Sequence, residues 1–286
     1  MGDVATQLEP IELETNGLTF SGIASGPADG PLVLFLHGWP EFADSWTSLA
    51  QSLGNDGYRA VALDQRGYST GARPEAIDAY TIDTLVSDAL GFADALGRPR
   101  FHLVAHDWGA MLGWFLAANH GDRLASYTSL ATPHPAALAE ARRNDPDQQK
   151  RSAYIDLFRA PGNIAEKTLM GNGAAALRAA YEGKFPPEHV DKNIRRFKEG
   201  SCLTASLNWY RAAEFYQPID AVAVPTLYAW GSKDLALGER AARNTADHVS
   251  GPYRFEVLDG ISHWIPLEAP DLVVPLLREH LASHNV

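Results

Sequence analysis

A doubly wound α/β domain carrying a helical insertion is the fold class this sequence predicts, and three observations predict it. Short apolar runs recur along the first half and stop at turn residues. Stretches with helical spacing lie between them. The alternation breaks off after about Pro133 and resumes near Val224.

Each element follows from its own pattern. Leu32 to Leu36 is an unbroken apolar run ended by His37 and Gly38, as in a strand buried on both faces. Arg59 to Leu63, Phe101 to Ala105 and Tyr127 to Ala131 repeat it. Ile82, Leu85, Ala89, Phe92 and Leu96, then Met111, Leu112, Phe115 and Leu116, fall on helical stripes. Strand and helix in turn predict a mostly parallel sheet covered on both faces, with functional loops at the carboxyl ends of its strands. From His134 to about Ala223 the chain is polar and helical, with turn signals at Pro161-Gly162, Gly171 to Gly173 and Pro186-Pro187. Thr226 to Trp230 and Phe255 to Leu258 again read as buried strands. The expected division is a core of residues 1–133 and 223–286, with residues 134–222 as a helical cap over the strand ends. Arg195, Arg196 and Lys198 read as a solvated helix face.

Composition narrows the function classes. The 286 residues are 45% hydrophobic and 21% charged, which suits a packed core and neither a disordered chain nor a membrane bundle. A net charge of −11 repels phosphate backbones and anionic headgroups, so neither nucleic acid nor membrane is expected as a partner. Cys202 is the sole cysteine, and no basic, apolar leader or spanning-length apolar run is present, so the expected compartment is the cytoplasm. Met1, Gly2 and Thr6 fit the loose myristoylation pattern, which short matches often do by chance.

The most informative segment is Ala105-His106-Asp107-Trp108-Gly109, between an apolar strand and a helical stretch. Small residues flank Asp107 at two positions on either side, the pattern of a nucleophile held on a tight strand-to-helix turn. Asp before a helix is also a common N-cap. Three further loops favour the nucleophile. His263 lies in the turn after the last strand, and Asp234, after Thr226 to Trp230, is placed to orient its imidazole. The order 107, 234, 263 is nucleophile, acid, histidine. His37-Gly38-Trp39-Pro40 follows the first buried strand, in the slot that supplies a backbone N–H to an oxyanion hole.

On these residues the sequence resembles the α/β-hydrolase fold enzymes with an aspartate nucleophile, most closely the epoxide hydrolases, from about Leu32 to the C-terminus. His37-Gly38-Trp39-Pro40 resembles the family's HGxP, Asp107-Trp108 its HDWG, Asp64-Gln65-Arg66-Gly67-Tyr68 its D-x-R-G-Y, and Asn208-Trp209-Tyr210-Arg211 its NWYR. The resemblance implies a cis bond before Pro40, oxyanion donors at the N–H groups of Trp39 and Trp108, and substrate contacts at Trp39, Pro40 and Trp108. It also implies that Tyr210 holds the epoxide oxygen. The first epoxide-binding tyrosine of the family aligns with Leu157. Tyr154, three residues earlier on the same helix face, is the expected substitute, with Tyr181 and Tyr216 as fallbacks.

The residue type carries its own chemistry. A carboxylate attacking a carbonyl would form a labile anhydride, whereas at saturated carbon it forms an alkyl ester. Asp107 therefore points to an epoxide or a halide and away from ordinary esters and peptides. An epoxide oxygen leaves as a basic alkoxide and needs a proton donor such as tyrosine, while a halide needs N–H donors. The expected reaction is hydration of a small hydrophobic epoxide to a diol through an ester on Asp107, cleaved by water activated by His263 with Asp234. Haloalkane or haloacetate dehalogenation with the same nucleophile is the alternative, and a non-catalytic ligand receptor on the same fold is the third. His106 reads as a packed neighbour of the nucleophile, and His134 as either a pocket residue or a structural hinge. Neither HExxH nor paired CxxC is present, and Gly171 to Gly173 lacks the Lys-Ser/Thr of a phosphate loop, so neither cofactor nor metal is expected.

Overall fold

The computed structural model describes residues 7–214 and 218–286. Tyr216 and the Met1-Gly2-Thr6 pattern lie outside the described residues.

The chain opens with a hairpin, β1 (Glu9–Thr15) and β2 (Leu18–Ser25), paired antiparallel. Asn16 and Gly17 turn it with φ of 51° and 72°, the left-handed pair that matches a two-residue turn to the strand twist. The apolar-run pattern starts at Leu32 and omits this hairpin, because both strands face solvent on one side. The Asn16-Gly17 dipeptide was its readable signal.

The remaining strands are β3 (Leu32–Leu36), β4 (Arg59–Leu63), β5 (Phe101–His106), β6 (Leu124–Leu130), β7 (Thr226–Gly231) and β8 (Tyr253–Leu258). They complete one eight-stranded sheet in the order β1-β2-β4-β3-β5-β6-β7-β8, parallel from β4 to β8. The predicted mostly parallel sheet is borne out. Two boundaries differ. Ala131, expected within a strand, has φ of 70° and turns the chain out of the sheet, while β6 begins earlier, at Leu124. The last strand, expected to be buried, is the sheet's edge: β8 has one neighbour, and Val257 is 41% exposed.

Among the described residues three α-helices precede β6: α1 (Thr47–Asn55), α2 (Ile82–Ala95) and α3 (Trp108–Asn119). Between β6 and β7 run α4 (Pro135–Asn144), α5 (Pro146–Arg151), α6 (Tyr154–Phe158), α7 (Ile164–Ala180), α8 (Pro187–Phe197) and α9 (Cys202–Ala212). α10 (Glu239–Asn244) links β7 to β8, and α11 (Ile265–Glu268) and α12 (Pro270–Ala282) follow. The turn signals fall where they were read: Pro161-Gly162 separates α6 from α7, Pro186-Pro187 starts α8, and Gly171 to Ala174 break the helical dihedrals inside α7.

The period of two along each strand divides the core. Leu34, Leu36, Val61 and Leu103 pack with Leu85 and Phe92 of α2 and Leu112 and Phe115 of α3. Val33, Phe35, Ala60 and Val104 pack on the opposite face with Leu49 and Leu53 of α1 and Leu277 and Leu281 of α12. Both faces of β3 to β7 are dry, which is why those strands read as apolar runs. No helix among the described residues is long and apolar enough to cross a membrane.

Candidate active site

Four loops, each directly following a strand, converge at the carboxyl end of the sheet. Asp107 stands between β5 and α3 with φ 51° and ψ −121°, a conformation that costs a non-glycine residue about 1–3 kcal/mol. Neighbours hold it there: Thr132 Oγ1 and the Met111 N–H both donate to its carbonyl at 2.9 Å. The capping alternative falls away, because the Asp107 side chain makes no cap hydrogen bond with α3.

Instead the carboxylate faces outward. Oδ1 accepts the Trp39 N–H at 2.8 Å, and the Trp108 N–H also lies against the carboxylate. Oδ2 is 3.4 Å from His263 Nε2, and the side chain keeps 15% exposure toward the cavity in front of it. Burial alone would raise this carboxyl, but His263 and the Trp108 N–H bring it below its ordinary range. The peptide bond between Trp39 and Pro40 is cis, as the resemblance implied.

His263 Nδ1 lies 2.8 Å from Asp234 Oδ2. Asp234 is itself fixed by the N–H groups of Ala236 and Leu237, which donate to Oδ1 at 2.7 and 2.9 Å. Burial would lower the His263 imidazole, but the carboxylates of Asp234 and Asp107 on its two sides raise it to about 10. The resting site is thus an imidazolium between two anions. His106 packs behind it: burial and the nearby His263 push it down to about 4, so its neutral Nε2–H donates to the His263 carbonyl at 2.8 Å.

The first loop is anchored by groups that motif reading did not assign. His37, lowered to about 4 by burial, accepts the Gln65 N–H on Nε2 at 3.1 Å, while Gln65 Nε2 donates back to the His37 carbonyl at 2.6 Å. Gly38 has no room for a side chain, because a Cβ there would sit 2.3 Å from Asp107 Oδ1. We expect Gly38→Ala to lower kcat by about 100-fold by displacing the carboxylate on the scale of an ångström. Steady-state kinetics beside a thermal melt checks this; unchanged kcat in a folded variant would mean that the close approach is unimportant.

Across the cavity stands α9 with Tyr210, 2% exposed. The Trp209 indole N–H donates to the Arg66 carbonyl at 2.8 Å, and Arg66 is locked by a two-pronged buried pair with Asp88, at 2.6 and 2.8 Å. The D-x-R-G-Y segment thus seats the helix that presents Tyr210. The Tyr210 ring meets Trp108 edge-on at 5.0 Å, and Tyr154 of α6 stands 6.2 Å away. Burial and the Asp107 charge push the Tyr210 hydroxyl well above its ordinary range, and that of Tyr154, a residue 36% exposed, is raised as well by its partly desolvated setting and the same charge.

A cavity of about 360 Å³ joins these groups. Trp39, Asp107, Tyr154, Tyr210 and His263 line it, with Leu157, Phe158 and Leu169 from the insertion. Trp108 faces an adjoining cavity of about 50 Å³ shared with Asp107, Tyr154 and Tyr210. Pro40, expected to contact substrate, is off the walls of both; its carbonyl instead accepts the Tyr181 hydroxyl at 3.0 Å. That hydroxyl also accepts from Asn193, so Tyr181 is not among the cavity residues. His134 is fully buried away from the cavity and caps α4, its Nδ1 accepting the Ala136 N–H at 3.2 Å. Arg151, Glu182, Leu235 and Ala236 also line the cavity and carried no sequence signal, since none belongs to a motif or a strand end.

Residues 31–270 match the family described as alpha/beta hydrolase fold. This chain belongs to that family. The α/β hydrolase is 35% identical to AB hydrolase superfamily protein YfhM of Bacillus subtilis, over 95% of this chain and 97% of that protein. It is 33% identical to Epoxide hydrolase A of Mycobacterium tuberculosis, over 95% and 96% of the two. Among solved structures it resembles one of the novel epoxide hydrolases from metagenomes of hot environments, with a TM-score of 0.84 and 30% identity over 97% of this chain and 99% of that one.

Proposed function

We propose that this α/β hydrolase is an epoxide hydrolase acting on a small hydrophobic epoxide with water, through an alkyl ester on Asp107. The observation that carries the reading is one apolar cavity with a carboxylate on one wall and two protonated tyrosine hydroxyls on the other. The similarity to Epoxide hydrolase A supports it. Residues 134–222 act as the cap in this reading, since α6, α7 and α9 supply the wall opposite Asp107. A cytoplasmic setting suits the single, buried Cys202.

The atoms balance as follows. Asp107 Oδ2 attacks one oxirane carbon, and the C–O bond breaks with its electron pair on oxygen. Tyr210 and Tyr154 hydrogen-bond that oxygen, and the proton it takes is made good from imidazolium His263. Esterification removes the charge of Asp107, so one of the two anions that hold His263 at about 10 is gone and the imidazole is left neutral. Neutral His263 then takes a proton from water, which attacks the Asp107 carbonyl carbon. The oxyanion forms on Oδ1, toward the N–H groups of Trp39 and Trp108, donors of a kind worth about 3 kcal/mol each. Collapse frees the diol and restores the carboxylate and imidazolium.

Halide release is less well served. It needs N–H donors open to the cavity; the indole N–H groups of Trp39 and Trp264 are closed off from open space, and the Trp108 side chain is engaged with the Tyr210 hydroxyl. A single turnover of styrene oxide by excess enzyme in heavy-oxygen water tests the scheme. The label is expected in Asp107 and not in the diol, and label confined to the diol would exclude the ester.

A further inference from the structure

Apart from Asp107 and His263, two charged residues line the cavity, Arg151 and Glu182. They are not equivalent. Arg151 is committed: its Nε pairs with Asp147 at 2.6 Å, and its guanidinium also donates to the Asp234 carbonyl. The Glu182 carboxylate has no hydrogen-bond or ion-pair partner among the described residues. The nearest lysine in sequence, Lys184, is taken by Glu268 at 2.9 Å.

The backbone holds Glu182 in place at the end of α7. Its φ is 53° and that of Gly183 is 68°, while its N–H donates to the Ala179 carbonyl at 3.0 Å. Left-handed backbone disfavours a glutamate and favours glycine or asparagine, so local conformation does not account for this residue. Tyr181, just before it, is clamped: its hydroxyl donates to the Pro40 carbonyl at 3.0 Å and its ring stacks on Trp264 at 5.5 Å. The result is a half-buried carboxylate set on the wall of an otherwise apolar cavity, within electrostatic reach of His263.

We propose that Glu182 is a specificity-determining residue that excludes anionic epoxides and favours those carrying a cationic group away from the oxirane. The substrate class rests on the epoxide hydrolase reading above; the charge preference does not. A carboxylate in direct contact with no cation, felt by His263 only at a distance, repels a second carboxylate brought into the same low-dielectric cavity and attracts an ammonium group.

The test compares phenyl glycidyl ether with its para-carboxylate and para-trimethylammonium forms, in the wild type and in Glu182→Gln. The substitution is expected to raise kcat/KM for the carboxylate about ten-fold and lower it for the ammonium form about ten-fold, with the neutral ether changed less than about two-fold. Equal changes for all three would overturn the proposal and assign Glu182 to the support of His263. In parallel, binding of benzoate, benzamide and benzylammonium is followed by tryptophan fluorescence. The wild type should prefer them in the order ammonium, amide, carboxylate, and the variant should lose most of that preference. This second readout needs no turnover. A wild type inert toward all three epoxides but showing the binding order would sink the epoxide reading and keep the charge selection; no binding order in the wild type would sink the selection itself.

Discussion

Replacing His263 by Gln is expected to let the first half-reaction proceed, with the tyrosines reprotonated from solvent in place of the imidazolium, and to stop the second, so that one equivalent of substrate becomes bound to Asp107. Glutamine keeps an amide near the length of imidazole but cannot take a proton from water. Turnover should fall by about 1,000-fold, within the range of general-base contributions. Intact-protein mass spectrometry should show a gain equal to the mass of the epoxide, and peptide mapping should place it on Asp107. The geometry behind this is specific: His263 Nε2 is 3.4 Å from Oδ2, while Oδ1 is held by the Trp39 N–H at 2.8 Å. The oxygen that forms the ester and the oxygen that becomes the oxyanion are therefore distinct before substrate arrives. A folded variant that turns over without an adduct would leave His263 outside the chemistry.

The second large effect concerns the tyrosines. Tyr210→Phe and Tyr154→Phe are each expected to lower kcat by about 100-fold, and the double variant further still though not by the simple product, because both donors act on one oxygen and the alkoxide leaves only if a proton donor meets it. Pre-steady-state quenched flow should place the loss in the alkylation step, with ester hydrolysis little changed. Unaltered kcat in Tyr154→Phe would define a one-tyrosine site. The question arises because Leu157 occupies the place where the family resemblance puts the first tyrosine, and Leu157 does line the cavity. Tyr154, one turn earlier on α6, reaches the same space because residues three apart share a helix face.

Much of the site could be read from single residues and their neighbours. Asp107, Asp234 and His263 each follow a strand, and sheet geometry brings strand ends together whatever lies between them in sequence. Tyr210 was legible through the four residues around it. Arg151 and Glu182 were not, because a residue on an irregular wall has no period or spacing to mark it. Pro40 shows the opposite failure: a motif position next to a site residue whose own atoms face elsewhere, toward Tyr181.

The buried strands from β3 to β7 and the placing of a carboxylate on a strand-to-helix turn were legible in the sequence alone, since both depend on local pattern: apolar runs for buried strands, small residues for tight turns. Which side chains meet across the cavity was decided only by the tertiary structure. That depends on how α6, α7 and α9 pack over the strand ends, on the Arg66 and Asp88 pair that seats Trp209, and on the left-handed turn that sets Glu182 on the wall. Contacts between distant segments are fixed by shape complementarity and by the pairing of buried polar groups, and neither leaves a periodic trace along a single chain.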